Sequence, residues 1–363
     1  MQSVMDTVFG TGFDKTDVPD LAGRTALVTG GNDGIGFEVA RALALSKARV
    51  LLLARDEDKG KEAIVKIRAT ENPDADVEFM QIDLGNLKSV KEVADKIAKQ
   101  EERLDLLIAD AGVGVNKFDV SADGIDRHFS VNHLGHFLLI NRLLPLIRHT
   151  STIPGAPTPR IVSVSSELHR AAPSSIKFAS EEELGESASN DMPMTAVALY
   201  ARTKLALILF TKYGLVERVI VPNNDKILAV TTHPGAVHTG QQDQFKEAYG
   251  QVFGTMLKHV VVPFMRNPEQ GSLSTLWAAT SDEVEKNGWQ GKYFTDPGQL
   301  GGESNMACDR ELGKNLWELS ERLVKERLGP EGLLPWAKDA QAQEPGKEAE
   351  MSQSVNQPEV SLA

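Results

Sequence analysis

Short apolar runs recur along the chain, and longer segments with helical periodicity separate most of them. The runs read "TALVTG", "RVLLLA", "VEFMQID", "LDLLIAD", "RIVSVS", "KILAVTT" and, more weakly, "GKYFT". They are apolar at nearly every position, which is typical of strands buried on both faces of a parallel sheet. Their alternation with helices predicts an α/β fold with about seven strands in a mostly parallel central sheet and helices on both faces.

Two long polar segments interrupt this rhythm. "RHTSTIPGAPTPR" precedes the fifth strand, and "AAPSSIKFASEEELGESASNDMPMT" follows it. Loops of this length are usually functional covers or disordered. We therefore expect an N-terminal extension over 1–20 and a single domain over 21–337, with insertions at 167–199 and 240–266. The stretch 338–363, rich in Gln, Glu, Ser and Pro, is expected to be a disordered tail.

Composition and charge exclude several classes of partner. The chain has 363 residues, 41% hydrophobic and 25% charged, which is typical of a globular protein. Its net charge of -12 argues against nucleic acid or an anionic membrane as a partner, because phosphate groups attract clustered Lys and Arg. The single cysteine, Cys308, excludes an internal disulfide and suits a reducing compartment; we interpret it as an unreactive packing residue.

The sequence shows neither a secretory leader nor an apolar run of membrane-spanning length. The N-terminus lacks a basic start followed by an apolar core, and the most apolar late segment, "VFGTMLKHVVVPFM", is interrupted by Lys258, His259 and Pro263. That segment suits a buried helix, a pocket cover or an interfacial patch. We expect a soluble, cytoplasmic protein.

The first candidate site is "TGGNDGIG", residues 29–36, which lies between the first strand and the following helix. Such a corner directs free backbone amides and the positive end of a helix dipole outward, and glycine lets an anion approach closely. The spacing differs from G-x-G-x-x-G, and no Lys-Ser or Lys-Thr follows as in a P-loop. The motif alone indicates either a phosphate site or a plain glycine turn.

Arg55 ends the second strand about twenty residues after this turn. A dinucleotide-binding fold places there the side chain that meets the adenosine ribose, where an acidic residue favours NAD and an arginine suits the 2'-phosphate of NADP. Arg55 therefore indicates NADP(H), with NAD(H) as the less favoured cofactor. A surface arginine is the alternative, and the neighbouring Asp56 weakens the NADP interpretation.

The second candidate site is "YARTK", in which Tyr200 and Lys204 lie four positions apart and share one face of a helix. A phenol has an ordinary pKa near 10, about three units above neutral pH, and a nearby ammonium favours its ionised form. The pair therefore suits proton transfer. The alternative is an ordinary pair on an exposed helix.

Together these motifs resemble the short-chain dehydrogenase/reductase family, over residues 23–328. The stretches "ARDEDKGKEA", "VNHLGHFLL", "RIVSVSSELHR", "YARTKLALILF" and "HPGAVHT" are most similar to the branch of retinol dehydrogenases and WW-domain oxidoreductases. The resemblance implies a single Rossmann-type doubly wound domain. It also implies hydride chemistry on a nicotinamide cofactor, with the protein orienting the reactants and supplying the proton.

The resemblance assigns four catalytic residues. Asn132 would support a water-linked proton relay, and Ser166 would hydrogen-bond the substrate oxygen. Tyr200 would donate or accept the proton, while Lys204 would hold the nicotinamide ribose and lower the pKa of the tyrosine. Asp83 and Leu84 would frame the adenine, and Val237 and Thr239 would meet the carboxamide. The full predicted cofactor set is Gly30, Gly34, Ile35, Gly36, Arg55, Asp83, Leu84, Asp110, Gly112, Tyr200, Lys204, Val237 and Thr239.

Three departures from the family pattern bear on these assignments. The family's Asn-Asn-Ala-Gly reads "ADAG", so that Ala109 and Asp110 replace both asparagines, which would alter the floor of the cofactor site. Asp33 stands where NADP-dependent members often carry a basic residue. Ser166 and Tyr200 lie 34 positions apart (200 − 166), further than in compact members, and we expect the additional residues to rim the pocket.

Histidines 128, 133, 136 and 169 are close in sequence but do not predict a metal site, since His133 and His136 lack a third ligand placed with them. We interpret them as packing residues. Metal is therefore not among the expected cofactors.

The sequence favours an NADP(H)-dependent oxidoreductase that interconverts a carbonyl and an alcohol on an apolar small molecule, retinoid-, steroid- or secondary-metabolite-like. Two other hypotheses remain open at this point. One is a non-catalytic NADP(H) sensor on the same fold, since fold alone does not establish function. The other is a methyltransferase dependent on S-adenosylmethionine, which gives no reason for Tyr200 and Lys204. The resemblance also implies a homo-oligomer.

Overall fold

The computed structural model defines most of the predicted domain. The described residues are 12–70, 73–185, 187–188, 192–193, 195–237 and 266–338. Residues 1–11 of the expected N-terminal extension, 240–265 of the second insertion and 339–363 of the expected tail lie outside them, as do His238 and Thr239.

Ten strands lie within the described ranges, and eight of them form one sheet. All seven strands predicted from the apolar runs are confirmed, and a short antiparallel strand at the edge adds the eighth. The strands are β1 (Thr25–Thr29), β2 (Arg49–Ala54), β3 (Val77–Gln81), β4 (Leu106–Ala109), β5 (Arg160–Val164), β6 (Ser187–Ala188), β7 (Met192–Pro193), β8 (Leu228–Thr232), β9 (Tyr293–Asp296) and β10 (Gln299–Leu300). The order in the sheet is β10-β9-β8-β5-β4-β1-β2-β3, and β6 and β7 pair separately.

Seven longer helices accompany these strands within the same ranges. They are α1 (Gly34–Leu45), α2 (Glu57–Thr70), α3 (Leu87–Gln100), α4 (Gly135–Thr150), α5 (Ala196–Leu209), α6 (Pro268–Thr280) and α7 (Arg310–Leu328). Local chemistry sets their starts: at α6, Asn267 and Gln270 form a reciprocal capping box, and Pro268 occupies the first turn. None of the helices in these ranges is both long and apolar enough to cross a membrane.

Two π-helical segments adjoin α4 and α5. Ser130–Leu134 leads directly into α4, and Phe210–Ile220 continues α5. Such segments inside α-helices are frequent at functional sites. The first of them carries Asn132.

The core has two layers because successive strand residues face opposite sides of the sheet. In β2, Leu51 and Leu53 join the cluster that includes α3, α4, α5 and α7. Val50 and Leu52 join the opposite cluster, which includes α1 and α6. All four side chains are fully buried. The uniformly apolar strands seen in the sequence therefore pack against helices on both faces.

The order in which strands are added reverses at β1, which pairs in parallel with β2 on one side and β4 on the other. In doubly wound folds, the crevice at such a switch point, beyond the carboxyl ends of the strands, is where ligands bind. Gly30 and Asp110 directly follow β1 and β4. The fold thus brings the glycine turn and the "ADAG" segment to the same crevice.

Part of the first insertion belongs to the core. Ile176, Phe178 and Leu184 are buried in the cluster beneath α4 and α5. The Glu183 carboxylate accepts the backbone amides of Lys177 and Ala179 at 2.7 and 3.0 Å. Residues 176–184 therefore form a folded segment packed under α5. The sequence had led us to expect only a rim of the pocket here.

Candidate functional site

The glycine turn is tightly packed between β1 and α1. Gly30 (φ +71°) and Gly34 (φ +58°) adopt the left-handed backbone region that favours glycine. A Cβ added to Gly30 would lie 2.9 Å from Ala111 Cα, and one added to Gly36 would lie 2.5 Å from the Gly30 carbonyl oxygen. Larger residues at these positions would push the turn apart.

Two carboxylates already bind the first turn of α1. Asp33 caps the helix and accepts the Gly34 amide at 2.7 Å. The Asp110 carboxylate accepts the Gly36 amide, and its Oδ2 lies 2.8 Å from the position of a Cβ added to Gly36. The positive end of the helix dipole thus meets negative charge supplied by the protein itself.

Thr29, the last residue of β1, joins the glycine turn to the segment after β4. Its hydroxyl accepts the backbone amides of Asp110 and Ala111 at 3.1 and 3.0 Å. The same hydroxyl lies 2.9 Å from Nε2 of His136, whose Nδ1 lies 3.1 Å from the Asn132 carbonyl oxygen. Since a carbonyl only accepts, Nδ1 carries the proton and Thr29 donates to Nε2. Burial lowers the pKa of His136 to about 4, which keeps the ring neutral.

Asn132 is fully buried, and its side chain clamps two neighbouring segments. Oδ1 accepts the Val113 amide at 2.6 Å. Nδ2 donates to the Val113 carbonyl oxygen and to the Thr203 hydroxyl, both at 3.0 Å. Thr203 lies on α5 beside Lys204, so the asparagine fixes the loop after β4 against the helix that carries "YARTK".

Tyr200 and Lys204 occupy adjacent turns of α5, as their spacing predicts. The Lys204 ammonium lies 5.5 Å from the centre of the Tyr200 ring and donates to the Val164 carbonyl oxygen at 2.8 Å. Val164 is the last residue of β5, so this hydrogen bond links α5 to the carboxyl edge of the sheet. Lys204 is almost completely buried, and its carbonyl oxygen accepts the Ser165 hydroxyl at 2.7 Å.

Burial dominates the electrostatics of this pair. It raises the pKa of the Tyr200 phenol above its ordinary value, while a hydrogen bond with Ser166 opposes that rise and the Asp110 charge adds to it. Burial lowers the pKa of Lys204 to about 8, against the attraction of Asp110. At neutral pH the phenol is therefore protonated and the ammonium is charged.

Ser166 lies beside Tyr200 despite the long gap between them in sequence. Its hydroxyl accepts the Leu168 amide at 3.2 Å, and its carbonyl oxygen accepts Nδ1–H of His169 at 2.8 Å. His169 is buried, and its Nε2 accepts the Ser304 amide at 3.2 Å. The backbone of the serine is thus fixed by a histidine that bridges to the segment before α7.

The predicted adenosine end of the cofactor site lies at β2 and β3, on the opposite side of the switch point from Tyr200 and Lys204. Arg55 is exposed at the end of β2. Asp56 accepts the Lys59 amide at 3.0 Å, which places its carboxylate at the first turn of α2. Asp83 follows β3 and accepts the Gly85 amide at 2.9 Å, and Leu84 is buried beside it.

The predicted carboxamide end is described only in part. Val237 pairs with Arg266 and packs against α6, where a Cβ added to Gly271 would lie 2.5 Å from Val237 Cγ2. The same Cβ would lie 3.3 Å from Ile35 Cγ1, so Val237 lies close to the glycine turn. Gly112 approaches Asn132, whose Oδ1 would be 3.1 Å from a Cβ added there.

The site fits a dinucleotide. A tight glycine cradle, the start of α1 and a buried lysine lie around one crevice, with an exposed arginine at the predicted adenosine end. No cluster of three or more His, Cys, Asp or Glu that could hold a metal occurs in the described part of the chain. The four histidines 128, 133, 136 and 169 are all buried within hydrogen bonds of the fold.

Sequence reasoning missed Thr29, Thr203 and the bonding role of His136. Thr29 stands within the quoted glycine motif and Thr203 within "YARTK", but neither residue type indicates a particular partner. His136 was interpreted as packing, and it does pack; its bonds to Thr29 and Asn132 depend on the tertiary fold. The one signal in the sequence was that these polar residues stand within the quoted motifs.

Comparisons with known proteins find related sequences. A family model for short chain dehydrogenase matches residues 24–176. The WW domain-containing oxidoreductase of Gallus gallus is 33% identical over 311 residues, which cover 85% of this chain and 70% of that protein. The polyprenol dehydrogenase of Homo sapiens is 30% identical over 311 residues, which cover 85% of this chain and 87% of that protein.

A solved structure shares the fold. The Pseudomonas aeruginosa RhlG/NADP active-site complex superimposes with a TM-score of 0.57 at 22% identity, over 77% of this chain and 97% of that one. The eight-stranded, mostly parallel sheet with helices on both faces is thus a Rossmann-type fold. The chain belongs to the short-chain dehydrogenase/reductase family, whose oxidoreductases use nicotinamide cofactors.

Proposed function

We propose that this protein is an NADP(H)-dependent oxidoreductase that interconverts a carbonyl and an alcohol on an apolar small molecule, with Tyr200 as the proton donor and acceptor. The observation that carries the proposal is that Tyr200 lies beside both Lys204 and Ser166 and is influenced by the charge of Asp110, which lies at the glycine turn. It combines a protonated phenol, a fixed ammonium and a hydroxyl within one crevice. These are the groups that carbonyl reduction needs.

Tyr200 is poised to donate in the reducing direction. Because its pKa is raised, the phenol keeps its proton at neutral pH and delivers it as negative charge develops on the carbonyl oxygen. The Ser166 hydroxyl donates a second hydrogen bond to the same oxygen. When bound, the nicotinamide supplies or accepts the hydride.

Lys204 stabilises the tyrosinate that remains after transfer. Its ammonium is held over the ring by the Val164 carbonyl oxygen, so the charge is in position before the reaction begins. With a pKa of about 8, it is mostly charged at pH 7. In the oxidising direction the same charge favours the ionised phenol that accepts the proton of the alcohol.

Asn132 is proposed to support this pair through its position. Its side-chain amide donates a hydrogen bond to Thr203 on α5, and its backbone carbonyl oxygen accepts one from His136. Asn132 is accordingly proposed as a catalytic residue that supports a proton relay through ordered water.

The proposed preference for NADP(H) depends on Arg55. The two acidic residues that weakened it, Asp33 and Asp56, each bind an amide at the start of a helix, which accounts for their presence structurally. Arg55 is exposed where a 2'-phosphate would lie. The RhlG complex, similar in fold, contains NADP. The remaining predicted cofactor residues, including Thr239, are part of the same proposal.

An apolar substrate is supported by the relatives and by the sequence. One relative is described as a polyprenol dehydrogenase, which names a long apolar alcohol. The segment "VFGTMLKHVVVPFM", predicted to contribute to the pocket, is rich in apolar residues but lies outside the described ranges. The cytoplasmic location and the homo-oligomer also stay predictions.

Tyr200→Phe tests the mechanism directly. The variant should bind NADPH as the parent does, followed by nicotinamide fluorescence, and should lose at least about 100-fold in kcat on a long-chain or polycyclic aldehyde or ketone that the parent reduces. Full turnover by the variant would show that another group transfers the proton. NADPH binding without turnover across a broad carbonyl panel would instead favour the non-catalytic sensor.

A further inference from the structure

Asp110 replaces a neutral amide of the family pattern at a position where its charge affects the whole site. Its carboxylate accepts the Gly36 amide in the first turn of α1, while its backbone amide donates to Thr29. It also interacts electrostatically with Lys204 and raises the pKa of Tyr200. One acidic group therefore links the glycine turn to the proposed proton-transfer pair.

This carboxylate lies against the first turn of α1, which a pyrophosphate bound at the glycine turn would have to approach. An asparagine could accept the Gly36 amide equally well but would carry no charge. An ionised Asp110 opposes the approach of a pyrophosphate to the turn, because like charges in a partly buried site repel at low effective dielectric. Protonation removes that repulsion.

We propose that Asp110 makes cofactor binding proton-linked: its carboxyl group is ionised in the free site and takes up a proton from solvent, to an extent set by the pH, when a pyrophosphate binds at the glycine turn. This inference rests on the proposed function, since it requires a nicotinamide nucleotide to bind there. The proton comes from the buffer, and no other bond changes.

Between pH 6 and 7, Asp110 is the group of this cluster whose pKa is nearest, and Lys204 titrates above that range. Burial raises its pKa to about 6, while Lys204 and the Gly36 amide oppose that rise. On α5, Tyr200 stays protonated and Lys204, with a pKa of about 8, stays mostly charged. On α4, His136 has a pKa of about 4 and stays neutral. Asp33 contributes a further carboxylate at the start of α1.

The expected sign follows from linkage. Negative charge from the ligand raises the pKa of Asp110 further, so that between the free and bound pKa values the complex holds more protons than the free protein. Affinity is then highest at low pH and declines as the pH rises from about 6 toward 7, below the pKa of Lys204. Within that window we expect Kd to increase roughly threefold or more per pH unit.

Calorimetry measures this proton uptake without any turnover. The ligand is NADH, because the 2'-phosphate of NADPH titrates near pH 6 and would add its own protons. Titrations at pH 7 in two buffers of different ionisation enthalpy should give an uptake of about half a proton or more for the parent. Asp110→Asn should abolish the uptake and flatten the dependence of Kd on pH. Asp33→Asn, the matched control at the same helix end, should keep both.

The outcomes separate this inference from the proposed function. Equal uptake by the parent and Asp110→Asn, or no uptake by a parent that binds NADH, overturns proton linkage through Asp110 and leaves the oxidoreductase proposal intact. Failure of the parent to bind either nucleotide contradicts the proposed function itself. If Asp110→Asn does not fold, infrared difference spectra of the parent decide: a new protonated-carboxyl band on NADH binding supports the inference, and its absence contradicts it.

Discussion

The Arg202 guanidinium lies 3.2 Å from the Asp126 carboxylate, and both side chains are completely buried. Arg202 faces away from Tyr200 and Lys204 on α5, where it also donates to the carbonyl oxygens of Glu183 and Leu184, each at 2.8 Å. Asp126 caps the short helix that leads to Asn132. This ion pair therefore joins three segments: the helix of the proposed catalytic pair, the approach to Asn132 and the folded part of the first insertion.

Removing one partner of this ion pair should destabilise the folded protein. Arg202→Met removes the guanidinium that pairs with the buried Asp126 carboxylate, and we expect the free energy of unfolding to fall by about 3–5 kcal/mol, measured by urea denaturation. Arg202→Met combined with Asp126→Asn should recover part of the loss. Lys61→Met, which removes an exposed ion pair with Glu57, is the control and should leave the unfolding midpoint unchanged. Equal effects of Arg202→Met and Lys61→Met would contradict the role of the buried pair.

Gly36→Ala should disrupt the glycine turn. The added Cβ would meet the Gly30 carbonyl oxygen at 2.5 Å and Asp110 Oδ2 at 2.8 Å, so the turn must shift. We expect a loss of roughly 1–3 kcal/mol in the free energy of unfolding and a decrease in NADPH affinity, measured by fluorescence titration. Gly302→Ala is the matched control, because a Cβ there has nothing within 4 Å. Unchanged NADPH binding by Gly36→Ala would argue against this turn as the pyrophosphate site.

Arg55→Ala should separate the two nicotinamide cofactors. Charge-assisted hydrogen bonds to a phosphate contribute about 1.5–3 kcal/mol, so Kd for NADPH should rise about tenfold or more, while Kd for NADH stays the same. Parallel titrations of parent and variant with both nucleotides measure this. Lys61→Ala on the neighbouring helix, with the same change in charge, should affect neither Kd. A parent that prefers NADH would contradict the NADP(H) assignment.

His133 should make the protein sensitive to acid. It lies among Phe129, Phe137 and Phe210, and burial lowers its pKa to about 3. Between that value and the ordinary 6.5, the unfolded chain binds a proton that the folded protein does not. The stability that the neutral ring provides is complete above pH 6.5 and is lost as the pH falls, by about 1.4 kcal/mol per pH unit.

His133→Phe removes this titration and keeps a ring in the cluster. Its one hydrogen bond from Nε2, to Ser320 at 2.8 Å, is lost, but the Ser320 hydroxyl still donates to Leu316. Urea denaturation at pH 7.5 and pH 5.0 should show the variant gaining about 2 kcal/mol relative to the parent on acidification. A parent and a variant that lose stability in parallel would show that His133 is protonated without cost in the folded state.

Periodicity and spacing determined the framework of this protein. The apolar runs predicted the seven strands because a strand covered on both faces buries nearly every residue. Such a strand is therefore apolar at consecutive positions, and this pattern can be read from a few neighbouring residues. "YARTK" placed Tyr200 and Lys204 on one helical face for the same reason, since four positions make about one turn. The glycine turn at 29–36 was a candidate phosphate site from its position between a strand and a helix alone.

Only the tertiary structure decided which polar groups meet. Thr29 and His136 are separated by 107 positions, and Asp110 reaches the amide of Gly36 across the sheet switch point. Arg202 and Asp126 pair in the core although neither position shows an apolar or catalytic pattern in the sequence. Such contacts depend on the order of the strands and the packing of α4 and α5 against them, because hydrogen bonds and ion pairs carry no periodic signature along the chain.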